Sequence, residues 1–322
     1  MYPLKFRRHL VEKVWGGRSF ETVLGIPLPQ GKDIGESWEV SSHKNGMSVV
    51  LEGEFKGKTL EELVKEYKES LVGENVYKKY GEKFPLLIKY LDVNDRLSVQ
   101  VHPDDSYALV NEGEFGKSEC WYIIDASVDA KLILGIRDGV ERNEFIRKSK
   151  ETDFQGLFNE VPVKKGDFIN ITPGLVHASL SGSVLLCEIQ QSSDTTYRIY
   201  DFDRVVNGKK RELHLDKAYD VIEFGKKPEI SGYEERKGKD LECGIKEELV
   251  KSKYFSVERI IISGRYRDEV SKDFKIYSFI DGEGSILSQG KIYGVKKGDT
   301  YLIPANLDIE ITGELEILKS WI

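Results

Sequence analysis

The sequence predicts a mainly β protein made of two stacked β-barrels of one type, with a few packing helices. Three observations carry this expectation. Short apolar runs recur between Gly, Pro and Asp turns along most of the 322-residue chain, the pattern of a sandwich or barrel. Helical periodicity is rare. A motif also returns: Lys164-Lys165-Gly166-Asp167-Phe168-Ile169-Asn170-Ile171-Thr172-Pro173 is echoed by Lys296-Lys297-Gly298-Asp299-Thr300-Tyr301-Leu302-Ile303-Pro304. In both, a Gly-Asp turn feeds a strand that stops at Pro, and self-similarity at matching points of two β-rich halves marks a repeated module.

Taken in order, the first element is a helix over 59–80. Thr59 and Glu62 have the spacing of a capping box, and Leu60, Leu63, Val64, Tyr67 and Leu71 recur at helical intervals. Strands follow at 86–91, 97–101, 121–124 and 131–136. A second helix is expected over about 140–158, where Phe145, Ile146, Phe154, Leu157 and Phe158 stand among charges. Strands return at 167–171, 184–190 and 197–202, then a short helix at 214–223. The charged, turn-rich segment 225–245 separates two units, 1–235 with helical insertions and 236–322. Strands resume in the second unit at 255–262, 276–280, 300–303 and 315–320.

Composition narrows the function. A hydrophobic content of 39% supports well-buried cores. The net charge of −7 is spread among interspersed acids and bases, so no basic stripe for nucleic acid is present. No apolar run approaches the roughly 18 residues of a membrane span, and Met1-Tyr2-Pro3-Leu4-Lys5 lacks the apolar core of a signal peptide. A cytoplasmic protein without a membrane partner, monomeric or weakly homodimeric, is expected. Cys120, Cys187 and Cys243 are odd in number and far apart; they read as small buried hydrophobes in a reducing compartment.

The chemistry concentrates in the first unit, because no histidine follows His214. In Leu97-Ser98-Val99-Gln100-Val101-His102-Pro103, alternation puts Ser98, Gln100 and His102 on one strand face and the apolar residues on the other. Glu119 follows after 16 residues and shares a face with Lys117 and Trp121. His177 follows the turn at Pro173-Gly174; the echoed copy continues Ala305-Asn306-Leu307-Asp308 without a histidine. Taken singly, His102 reads as a hydrogen-bonded surface or core residue and Glu119 as a solvated charge. Together, two imidazoles and two oxygen donors form a mixed set suited to zinc or another late first-row divalent ion, with positions left open for substrate. His9, His43 and His214 lack such partners and read as structural or surface residues. Arg198 is either a fixed cation for phosphate or an oxyanion, or half of a surface pair with Asp194 or Asp201.

At these residues the chain resembles the type I mannose-6-phosphate isomerases in their short bacterial form. The matching blocks are Leu-Ser-Val-Gln-Val-His-Pro-Asp-Asp (97–105), Gly-Lys-Ser-Glu-Cys-Trp-Tyr-Ile (116–123), Pro-Gly-Leu-Val-His-Ala (173–178) and Gln-Gln-Ser-Ser-Asp-Thr-Thr-Tyr-Arg-Ile-Tyr-Asp-Phe-Asp-Arg (190–204). The resemblance implies a double cupin (jelly-roll) fold and one Zn2+ held by Gln100, His102, Glu119 and His177. It implies an active site lined by Lys117 and Arg198, and Ser98 near the phosphate of a sugar-phosphate substrate. The implied reaction interconverts mannose 6-phosphate and fructose 6-phosphate by moving a proton between C2 and C1 through an enediol. The general base stays open among Lys117, Glu36, Asp194 and a metal-bound water. The competing readings are an Fe(II) cupin oxygenase and a sugar-binding cupin without turnover.

Overall fold

The computed structural model describes every residue except position 207. Strands hold 44% of the chain and helices 15%, so the protein is mainly β as expected. Its framework is three sheets. The middle one runs, edge to edge, through Glu229–Ser231, Phe168–Ile171, Glu119–Ala126, Val184–Gln191, Leu86–Val93, Ile34–Val40 and His9–Gly17. On one side lies a five-stranded sheet of Tyr197–Tyr200, Val99–Val101, His177–Ser181, Lys131–Ile136 and Phe158–Pro162. On the other lies a nine-stranded sheet built largely from the C-terminal third, with Ser256–Arg267, Glu310–Trp321, Lys275–Ser288 and Thr300–Ile303 as its centre. All recorded pairings are antiparallel. Among the described residues no ladder closes on itself, so the first module is a pair of facing sheets rather than a continuous barrel.

Burial explains why the central strands read as unbroken apolar runs. One face of the middle sheet (Leu91, Val93, Trp121, Ile123, Leu186) packs on Leu132 and Leu134 of the five-stranded sheet. Its other face (Ile88, Tyr90, Cys120, Tyr122, Leu185, Cys187, Ile189) packs on Val257, Ile276, Leu302 and Leu318 of the nine-stranded sheet. All eight positions of Leu86–Val93 are therefore buried. The outer face of the five-stranded sheet is covered by the helices Arg142–Lys150 and Leu215–Val221 through Phe145, Ala218 and Tyr219.

The echoed motif folds twice into the same turn. Asp167 N donates to Lys164 O (3.1 Å) and Asp299 N to Lys296 O (3.0 Å). Lys164 N donates to Asp167 Oδ2 and Lys296 N to Asp299 Oδ2. Gly166 and Gly298 both take φ +88, where a side chain is disfavoured. The expectation of two related modules rests on this turn, and the turn is present in both.

Several boundaries differ from the sequence expectation. The stretch 59–80 keeps its capping box but breaks into Leu60–Tyr67, Glu69–Val72 and Glu74–Tyr80, with left-handed backbone at Lys68 (φ 45) and Gly73 (φ 97). The second helix stops at Lys150, and Phe158 opens a strand instead. A helix over Asp105–Asn111, capped by Asp104 accepting from Tyr107 N, was not expected; nor were the strands Leu4–Arg7, His9–Gly17 and Ile34–Val40. Leu4–Arg7 pairs with Thr300–Ile303, so the N-terminus is stitched into the C-terminal sheet.

Candidate metal centre

The five-stranded sheet aligns three of the expected site residues in one row. His177 pairs with Gln100, and Gln100 with Arg198 on its other side. Directly paired residues of antiparallel strands project to the same face, here the one toward the middle sheet. The opposite parity sends Val99 and Val101 into the outer core. Glu119 opens the facing strand Glu119–Ala126, and His102 follows the strand Val99–Val101. Gly174 N donates to His102 O at 2.9 Å, which ties the turn before His177 to the segment bearing the first imidazole.

Three donors converge there. His102 Nε2 lies 3.6 Å from Glu119 Oε2 and His177 Nε2 3.3 Å from Glu119 Oε1. All three side chains are buried. His102 Nδ1 donates to Thr195 O and His177 Nδ1 to Leu175 O, each at 2.9 Å. Those bonds fix both tautomers, so each Nε2 carries its lone pair toward Glu119. Burial first, and Lys117 next, push the His102 imidazolium down to about 4; burial likewise lowers His177. Burial alone would raise Glu119, but Lys117 and His102 hold it well below the usual carboxylate range. The set is thus two neutral imidazoles and an anion. His102 Nε2 and Glu119 Oε1 are buried without a hydrogen-bond partner, a costly state unless a cation accepts their lone pairs. The donors fit a divalent metal ion. Among the described residues, His102, Glu119 and His177 are the one His/Cys/Asp/Glu cluster with this convergence.

Gln100 reaches the same point, with Nε2 3.2 Å from His177 Nε2 and Ser98 Oγ 3.4 Å from its Oε1. In that orientation the amide donates to the imidazole. A half-turn of the amide, which exchanges nearly isosteric N and O, would offer the oxygen instead.

Beside these donors is a cleft of about 290 Å³, lined on one wall by Ser98, Gln100, Thr196, Arg198 and Arg211 and on the other by Glu36, Lys89, Lys117, Trp121 and Glu188. Lys117 Nζ stands 2.8 Å from Glu119 Oε2 and 4.0 Å from Glu188 Oε1. Burial opposes its charge, yet Glu119 and Glu188 outweigh that and raise its pKa, so Lys117 stands here as an ammonium. Arg198 Nη1 donates to Glu212 O at 2.8 Å. No ion pair joins Arg198 to Asp194 or Asp201 among the described residues; Asp201 pairs with Arg211 and Arg204 instead, and Asp194 accepts from Asn45. His43 and His214 lie outside the cluster, and His214 Nδ1 accepts from Arg198 N.

Two buried charges in this cleft were missed. Glu188 Oε2 accepts from Trp121 Nε1 at 2.8 Å, and its Oε1 lies 3.5 Å from Lys89 Nζ. Burial, with Glu119 nearby, raises the Glu188 pKa. Lys89 also stands 4.4 Å over the Trp38 ring. The signal was available: a lone charge inside a fully apolar strand, as in Leu87-Ile88-Lys89-Tyr90-Leu91 and Leu186-Cys187-Glu188-Ile189, needs a partner or a function.

Residues 4–114 match the family model "Phosphomannose isomerase type I, catalytic domain", and residues 245–322 match "Mannose-6-phosphate isomerase, cupin domain". The chain is 39% identical to the mannose-6-phosphate isomerase of Streptococcus mutans, over 99% of this chain and 98% of that protein. It is 40% identical to a mannose-6-phosphate isomerase of Bacillus subtilis, with the same two coverages. The crystal structure of the mannose 6-phosphate isomerase from Bacillus subtilis superposes with a TM-score of 0.89 at 37% identity, covering both chains fully.

Proposed function

This chain belongs to the type I mannose-6-phosphate isomerases, and from that premise we propose that Gln100, His102, Glu119 and His177 hold one zinc ion at the site of isomerisation. The observation that carries this reading is the pair of buried, unpartnered acceptors His102 Nε2 and Glu119 Oε1, with both imidazole Nδ1 atoms locked to backbone carbonyls. The bound ion would polarise the oxygens on C1 and C2 of the open-chain sugar, acidifying the C2 proton toward an enediol, and zinc suits a reaction without redox change. Lys117 and Arg198 add fixed positive charge where that oxygen charge develops. Ser98, on one wall of the cleft, positions the anionic end of the substrate.

The proton shuttle between C2 and C1 needs a carboxylate aimed into the cleft. Glu188 fits best: Trp121 fixes one oxygen and burial favours proton uptake. Glu36 is held down to about 2, since Lys89 and Lys13 overcome its burial, and is the poorer base. The units 1–235 and 236–322 are read as two cupin-like jelly-roll modules, the first catalytic.

Replacing His102 or His177 by Ala should remove both bound metal and turnover, read by metal analysis and a coupled assay with mannose 6-phosphate. An inactive variant with normal metal content would exclude that residue as a ligand. Glu188→Gln should lower kcat on the order of 10²–10⁴-fold with metal content unchanged, and near-normal turnover would remove it as the base.

A further inference from the structure

The matching turns allow the two modules to be superposed residue by residue. Lys164 to Asp167 correspond to Lys296 to Asp299, and Ile171 to Ile303. Ile171 pairs with Glu119 and Ile303 with Lys275, so Lys275 occupies the counterpart of the Glu119 position. Two residues on, Trp121 corresponds to Tyr277. Trp121 pairs with Glu188, and Tyr277 with Lys319. Glu188 pairs with Lys89, and Lys319 with Glu258. Beyond the strand, Leu175 N donates to Thr172 O and Leu307 N to Pro304 O, while Gly174 and Asn306 both have positive φ. At the same offset His177 corresponds to Ile309. The register Arg267↔Glu310, extended by one residue, sets Asp268 against Ile309 as Gln100 stands against His177.

All three charged positions invert sign: Glu119 becomes Lys275, Glu188 becomes Lys319, and Lys89 becomes Glu258. The inverted set is a closed cluster. Lys275 Nζ lies 2.6 Å from Asp268 Oδ2 and donates to Glu269 O at 2.5 Å. Lys319 Nζ lies 2.5 Å from Glu258 Oε2 and 3.3 Å from Asp268 Oδ2. Tyr266 and Tyr277 both donate to Asp268. Asp268, Lys319, Tyr266 and Tyr277 are buried.

We propose that the second module keeps the framework of the metal centre but supplies its cation from the chain, with the ammonium of Lys275 facing Asp268 where the first module recruits an ion. The second centre is then a structural lock that takes no metal and no substrate. Without Lys275, Asp268 would keep as its cation only Lys319, which is farther off and shared with Glu258.

The test is Lys275→Ala in the full chain. The unfolding midpoint should fall by about 5–10 °C, and ammonium or methylammonium chloride should restore part of it where sodium chloride at equal ionic strength does not. Lys275→Arg should keep most of the midpoint. Turnover of the folded variant should match the parent. An unchanged midpoint in Lys275→Ala, or a fall in kcat at temperatures where it is folded, would overturn the proposal. Should Lys275→Ala fail to fold, zinc titration of the metal-stripped parent decides: one high-affinity site per chain is expected, and two would overturn it.

Discussion

Glu36 sits on the wall of the cleft with Lys13 Nζ 2.8 Å from Oε1 and Trp38 Nε1 donating to Oε2 at 2.7 Å. Burial alone would favour its neutral form, but Lys89 and Lys13 dominate and bring it to about 2 in the folded protein. A carboxylate with a folded pKa below its unfolded value stabilises the native state above the unfolded pKa, and that contribution fades as pH falls through the folded one. Glu36→Gln should therefore cost on the order of 2–3 kcal/mol near pH 6, and the deficit should shrink between about pH 4.5 and pH 2.5. Urea unfolding of both proteins across that range measures it; a deficit that grows with acidity would reverse the assigned sign. Glu36 was visible in the sequence only as an open choice of base, because its pKa depends on lysines that arrive from two other strands. Gln100, His102, Glu119 and His177 were easier to read. Polar residues at alternate strand positions must face either water or a site, and a histidine after Pro-Gly in one repeat but not the other singles out the module where His102, Glu119 and His177 converge. Lys89 and Glu188 are legible only as lone charges in strands whose other residues read as core. The orientation of the Gln100 amide has no sequence signal at all.

The turn at Pro173-Gly174 shows how one short element organises both halves of the centre. Gly174 has φ +84; its N–H binds the carbonyl of His102 and its own carbonyl accepts from Glu223 N at 3.1 Å. A Cβ added there would meet Glu223 Cγ at 2.8 Å. Gly174→Ala should then cost about 1–2 kcal/mol and loosen the spacing of the two imidazole segments. The second effect is read as faster loss of bound metal to a chelator, compared with a strain control such as Gly298→Ala in the other module. Equal loss rates in the two variants would mean that the turn contributes to folding and not to the site. Elements of this kind were legible where a turn residue and an apolar run adjoin, as at Gly166-Asp167 and the strand Phe168–Ile171. The break at Lys68 was not, since nothing in a lysine announces left-handed backbone. The helix Asp105–Asn111 buries only Ala108, which leaves no periodicity to detect. The strand His9–Gly17 lies at a sheet edge and is mostly half-exposed or exposed, so it lacks the apolar alternation that betrays a strand.

The two sequence-defined units are not two independent bodies. The outer face of the middle sheet and the facing side of the C-terminal sheet form a single core, and Tyr122 OH reaches across it to Glu316 Oε1 at 2.7 Å. Leu4–Arg7 lies between Thr300–Ile303 and Val49–Val50, so the beginning of the chain completes the sheet that its end builds. Cutting at 235/236 would leave Ile88, Tyr90, Cys120, Tyr122, Leu185, Cys187 and Ile189 facing water and would strip Leu4–Arg7 of its principal partner. At roughly 25 cal/mol per Å² of apolar surface, re-exposing that many large side chains exceeds the marginal stability typical of a domain, about 5–15 kcal/mol. Two consequences can be measured. A fragment of residues 1–235 should be insoluble or unfolded, and the intact chain should unfold in one transition. Fluorescence reports mainly on the first module, where Trp15, Trp38 and Trp121 lie; hydrogen exchange along Glu310–Trp321 reports on the second. The two should give the same free energy of opening. A C-terminal sheet that exchanges at lower cost while the first module stays closed would show that the modules are merely docked. In that case the C-terminal sheet could not be what holds the middle sheet, and the cleft on its opposite face, in register.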